Sequence, residues 1–127
     1  MGKFVVKEVS SGYKFDLKAT NGQVIASSEV YKTKASCLKG LESVRKNAPI
    51  ANLEDHTTDF VAVKNPKFEI YVDKANEFRF RLKAKNGEII ATSEGYKTMD
   101  SCKNGVDSVR KNSEDASVVM PEAATAQ

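Results

Sequence analysis

The feature that most constrains this chain is a stretch of sequence that returns, nearly unchanged, 65 residues later. Residues 15–29 read FDLKATNGQVIASSE and residues 80–94 read FRLKAKNGEIIATSE. Residues 15–47 align with 80–112 without a gap, and about two-thirds of the positions are identical. Two copies are too few for a solenoid, and one copy has too little core to stand alone. Two units that share one sheet solve both problems. The chain is therefore expected to be a covalently linked pseudo-dimer about a local two-fold axis.

Within each copy, the period of the apolar residues sets the elements. Tyr13 to Ala19 alternate, apolar at odd positions and polar at even ones, as a strand with one face on a core requires. Asn21-Gly22 and Asn86-Gly87 predict two-residue type I′ turns. That turn sets Lys18 opposite Ile25, Leu17 opposite Ala26 and Lys14 opposite Glu29. Thr33 is the expected N-cap of a helix in which Cys37, Leu41 and Val44 form the buried stripe. Cys102, Val106 and Val109 form the same stripe in the second copy, and both helices are expected over one face of the sheet. Asn47, as a left-handed residue, and Pro49 are expected to end the first helix. Opening strands are expected at 4–9 and 68–72. Closing strands are expected at 59–63 and 116–120, each matching the other. One domain of residues 1–120 follows, with repeats at about 1–64 and 65–120, and residues 121–127 read as a frayed tail.

Bulk properties narrow the class. With 127 residues, 40% hydrophobic and 29% charged, the chain has the balance of a soluble globular domain. A net charge of +3 does not by itself call for nucleic acid. The first seven residues lack the apolar run of a signal peptide, and Val6 stands where an acylation motif wants Ser or Thr. No stretch is long enough to span a bilayer, so the expected address is the cytoplasm. Cys37 and Cys102 form no CxxC, and the one histidine, His56, lies far from both in sequence, so no metal site is expected. The thiols are read as small buried groups, with a disulfide across the repeat axis as the alternative.

Three motifs carry a resemblance: the Asn-Gly hairpin, Ser-Glu-x-Tyr-Lys-Thr at 28–33 and 93–98, and Ser-Val-Arg-Lys-Asn at 43–47 and 108–112. Together they resemble the YegP-like family of small bacterial proteins built from one or two β-β-β-α-β repeats. Lys39-Gly40-Leu41 and Asn104-Gly105-Val106 stand where family helices often carry Asn-Gly-Ile, a change that keeps the core stripe. The resemblance implies an α+β fold: two tandem β3-αβ repeats forming a single antiparallel sheet, with exchanged C-terminal strands and two helices on one face. It implies no activity, cofactor or catalytic residue.

The most suggestive surface is the row Arg79, Arg81, Lys83 and Lys85, which alternates with Phe78, Phe80, Leu82 and Ala84 and so lies on the face opposite the core. Such a row suits phosphates along a nucleic acid. The predicted register also sets Glu88 opposite Lys85 and Glu94 opposite Arg79, which favours reading the row as a salt-paired solvated face over a binding surface. A strip of small polar residues, Ser36, Gly40, Ser43 and Asn47, recurs at Ser101, Gly105, Ser108 and Asn112. It fits either close helix–helix contact or a shallow ligand groove. Tyr31 and Tyr96 read as core-edge packing, and Arg45 and Arg110 as partners of the helix dipoles. No nucleophile–base set, P-loop or paired catalytic carboxylates can be assembled. The function expected is a small cytoplasmic binding or scaffolding module, monomeric, without catalytic activity or cofactor, and with a protein partner. Weak nucleic-acid or polyanion binding through Arg79, Arg81, Lys83 and Lys85 is the alternative.

Overall fold

The computed structural model describes residues 2–120. The first unit runs β1 (Lys3–Val9), β2 (Gly12–Lys18), β3 (Val24–Ser27), α1 (Lys34–Asn47) and β4 (Asn52–Asp55). The second runs β5 (Lys67–Val72), β6 (Phe78–Lys83), β7 (Ile89–Thr92), α2 (Met99–Ser113) and β8 (Ser117–Val119). All eight strands form one sheet in the order β4-β5-β6-β7-β3-β2-β1-β8. Each unit therefore sends its last strand to the far side of the other: β4 pairs with β5, and β8 with β1. Both of these edge pairings are parallel, so the sheet is mixed, with an antiparallel interior.

One hydrophobic cluster joins the inner face of the sheet to both helices. Phe4, Phe15, Phe68 and Phe80 are fully buried in it, each contributing about 1.5–3 kcal/mol by burial. They meet in two edge-to-face pairs, Phe4–Phe15 at 5.7 Å and Phe68–Phe80 at 5.8 Å. Both helical stripes are buried as their spacing requires. Thr33 and Thr98 cap their helices by accepting hydrogen bonds from the amides of Ser36 and Ser101. Cys37 and Cys102 are buried free thiols.

Four local expectations are corrected. The closing strand of the first unit is Asn52–Asp55, whereas residues 59–63 lie outside the sheet. The true counterpart of β8, 65 residues upstream, is 52–54. The segment 59–63 has strand-forming residues, but the edge of β5 that it would join is taken by β4. The Asn-Gly turns are three-residue loops with one left-handed residue, Gly22 or Gly87, both at φ 85°. The amides of Gly22 and Ala19 bond to the carbonyls of Ala19 and Gln23, and the resulting bulge pairs Lys18 with Val24 instead of Ile25. Leu17 still faces Ala26, so the core face is kept. Asn47 is right-handed (φ −91°), and its side chain bonds back to the Ser43 carbonyl at 2.7 Å while a 3-10 turn at Ala48–Ile50 continues the chain. The expected tail at 121–127 lies outside the described residues.

The glycine of each small-residue strip serves its own tyrosine. A Cβ on Gly40 would lie 2.2 Å from the Tyr31 hydroxyl, and one on Gly105 would lie 2.4 Å from that of Tyr96. Ser43 and Asn47 instead line a groove of 320 Å³ against Ala84, Lys85 and Asn86 of the other unit's hairpin. Alanine is a better helix former than glycine by about 1 kcal/mol, but overpacking costs about 1–3 kcal/mol. Gly40→Ala and Gly105→Ala are each expected to lower Tm in a thermal melt, and a raised Tm would show that the tyrosine site yields freely.

Candidate functional site

The cation row lies on the outer face as its alternation requires, but it is not a free stripe of positive charge. Arg81 Nε is 2.6 Å from Glu69 Oε1, Lys83 Nζ is 3.2 Å from Glu69 Oε2, and Arg79 Nε is 2.5 Å from Asp73 Oδ2. Arg79 thus pairs with Asp73 of the preceding turn, not with Glu94. Lys85 and Glu88 join no ion pair among the described residues. The Arg81 guanidinium also lies over the Tyr71 ring at 4.7 Å.

Beneath this row lies a pair of buried carboxylates that the sequence reading missed. The parallel register sets Glu54 of β4 beside Glu69 of β5, and their exposures are only 3% and 2%. Like charges at directly opposed positions are destabilising unless cations offset them. Lys67 Nζ meets that need at 2.9 Å from Glu54 and 3.6 Å from Glu69, and His56 Nε2 lies 2.5 Å from Glu54 Oε1. The linker after β4 closes over them. The Val63 amide donates to Glu54 at 2.9 Å, and the Phe60 ring stacks on His56 at 4.2 Å.

These contacts set the acidities. The hydrogen bond from His56, followed against burial by those from Lys67 and the Val63 amide, holds the Glu54 carboxyl at about 2. Burial alone would raise Glu69, but hydrogen bonds and charge from Arg81 and Lys83 outweigh it and lower the carboxyl. Lys67 is raised, first by its bond to Glu54. Burial raises both thiols, Cys102 to about 11. Glu54, His56 and Glu69 bring ligand atoms within 4.8 Å of one another, near enough to share one metal ion. The Lys67 ammonium already supplies positive charge to the same two carboxylates, so the chemistry of the cluster is that of a closed ion-pair network.

The first unit lacks this network. At its edge Val119 pairs with Val5, the places that Glu54 and Glu69 hold in the second unit. Its outer face carries Asp16 instead, 2.7 Å from Lys7 and hydrogen-bonded by Ser27. The signal available in the sequence was this departure from the repeat, a glutamate replacing valine twice on adjacent strands.

An eight-stranded sheet completed by exchanged strands, with two helices on one side, defines a class of two-repeat α+β proteins. The domain of unknown function DUF1508 matches twice, at residues 9–55 and 73–119. The chain belongs to this family, which shares its members with the YegP-like proteins. A UPF0339 protein from the 5′ region of the ptx operon of Stutzerimonas stutzeri is 38% identical over 93% of this chain and 95% of its own. A UPF0339 protein of Treponema denticola is 62% identical over 42% of this chain and 91% of its own, so that relative is about one repeat long. The solution structure of yegP from E. coli, a protein of unknown function, superposes with a TM-score of 0.77 at 33% identity, covering 94% of this chain and 91% of that one.

A carboxyl held below its unfolded value stabilises the fold above the unfolded pKa, and that contribution is lost as pH falls through the folded value. Glu54 is therefore expected to make Tm fall between about pH 4.5 and about pH 2. Glu54→Gln should flatten that part of the Tm–pH curve, and an unchanged slope would remove Glu54 from the account.

Proposed function

We propose that the chain is a small cytoplasmic module that binds or scaffolds a protein partner and has no catalytic activity of its own. The observation that carries this reading is the linker crest. Phe60 and Val61 are 47% and 85% exposed, on a segment whose base is fastened to the ion-pair network by Val63, His56 and Lys67. An apolar crest on an anchored base offers a contact at little ordering cost. The groups able to do chemistry are engaged elsewhere. Glu54 and Glu69 are neutralised in place, and the Cys37 and Cys102 thiols are buried and raised in pKa. Two unlinked thiols also suit a reducing compartment. Among the described residues, no helix is long and apolar enough to cross a membrane.

The polyanion alternative loses most of its charge to Glu69 and Asp73, leaving Lys85 as the cation of the row outside any described ion pair. Pull-down from host-cell lysate by the tagged full chain, with and without nuclease, separates the two. The expected result is a captured protein that survives nuclease treatment and is lost with Val61→Asp. Capture that vanishes with nuclease and weakens on Lys85→Ser would contradict the proposal. Lys85 is the clean probe, because replacing Arg81 or Lys83 takes a cation from buried Glu69.

A further inference from the structure

The two halves of the sheet meet at one residue pair, Ser27 of β3 with Thr92 of β7. Continued pairing would set Glu29 against Ile90 and Val30 against Ile89. The ladder stops instead, and a cavity of about 450 Å³ lies there, lined by Glu29, Val30, Tyr31, Glu88, Ile89 and Ile90 together with Lys83. Val30 and Ile89 are 47% and 36% exposed, so an apolar slot opens to solvent between two strand edges.

Two carboxylates and one lysine line the slot. Glu29 and Glu88 join no ion pair among the described residues, and both act electrostatically on the Tyr31 hydroxyl. The lining cation, Lys83, lies 3.2 Å from Glu69, a carboxylate that Arg81 and Lys67 also approach. The pseudo-symmetric opening on the other side of Ser27–Thr92 is smaller, about 310 Å³, with Gln23 in place of Glu88 and Gly95 in place of Val30. The larger slot thus joins aliphatic walls to two carboxylates outside any described ion pair, Glu88 accepting one hydrogen bond from Asn86, whereas its near-copy carries Glu94 alone.

We propose that this slot receives the lysine or arginine side chain of an extended segment of a protein partner. Val30, Ile89 and Ile90 would pack the methylene stem, and Glu29 and Glu88 would hold the cationic head. An extended segment is the favoured source because the slot lies where the ladder is interrupted, so strand-like main chain can align with the edge of β7 left open at Ile89 and Ile90. The inference rests on reading the chain as a protein-binding module and assigns that module a second contact, apart from the Phe60–Val61 crest.

The test is a titration of isotope-labelled full chain followed by amide chemical shifts, with a capped tripeptide carrying lysine between two valines. Saturable shifts at residues 29–31 and 88–90 are expected at millimolar peptide. Glu29→Gln with Glu88→Gln should weaken binding about tenfold, a loss of about 1.4 kcal/mol, while Glu94→Gln at the opposite opening leaves it unchanged. The same peptide with norleucine or glutamate at the centre, and n-butylammonium alone, should bind less tightly. Absence of shifts at the slot, indifference to the double substitution, or equal binding of the norleucine peptide or of butylammonium would each overturn the assignment. Shifts gathered at Phe60 and Val61 would also overturn it, while leaving the binding-module reading in place.

Discussion

The constraint on which the rest of the structure depends is the exchange of the closing strands. β1 and β5 are each paired on one side by their own hairpin, and each would otherwise present an open edge. A unit's own last strand does not fill that place. It crosses to the other unit, so β5 is completed by β4 and β1 by β8. The direct junction of the two hairpins adds little, since β3 and β7 share a single residue pair. Within the sheet the halves are therefore held by what they trade more than by where they touch.

The helices reinforce the trade through two arginines. Arg45 of α1 donates to the carbonyls of Ser113, Glu114 and Ala116, at and just beyond the C-terminal end of α2, at 3.3, 3.0 and 2.9 Å. Arg110 of α2 donates to the Ala51 carbonyl at 2.8 Å, just before β4. Each guanidinium also lies over a phenylalanine of the strand on which the exchanged strand lands, Arg45 over Phe4 and Arg110 over Phe68. Both arginines stand in the last turns of their helices, where the dipole favours cations, but their hydrogen bonds go to carbonyls of the other unit. A charged donor on a neutral carbonyl contributes about 1.5–3 kcal/mol, so these bonds fasten the departing strands at their roots.

Much of this order was legible in the sequence because it rests on periodicity. The alternation in β2 and β6, the stripes Cys37-Leu41-Val44 and Cys102-Val106-Val109, and the threonine caps are local patterns with one reading. What escaped was non-local. β4 is Asn-Leu-Glu-Asp, with no β-branched residue, and becomes a strand because β5 offers it an edge. Residues 59–63 look more like a strand and are not one. Glu54 and Glu69 stand 15 positions apart in the chain, and only the parallel register makes them neighbours under Lys67 and Arg81. The cation row was visible from alternation alone, but its neutralisation depended on that unseen pair.

The two units have diverged most where they do not support each other's fold. Their cores are near-copies, while the outer face of one carries Asp16 with Lys7 and that of the other a network of glutamates, lysines and arginines under a linker crest. The most direct test of the central claim is the behaviour of residues 1–64 expressed alone, by analytical ultracentrifugation and thermal melting. Such a half has a strand to donate and a vacant edge beside β1. The account predicts that it either remains unfolded or associates into a dimer whose Tm rises with concentration. A monomer with a sharp, concentration-independent melt would contradict it.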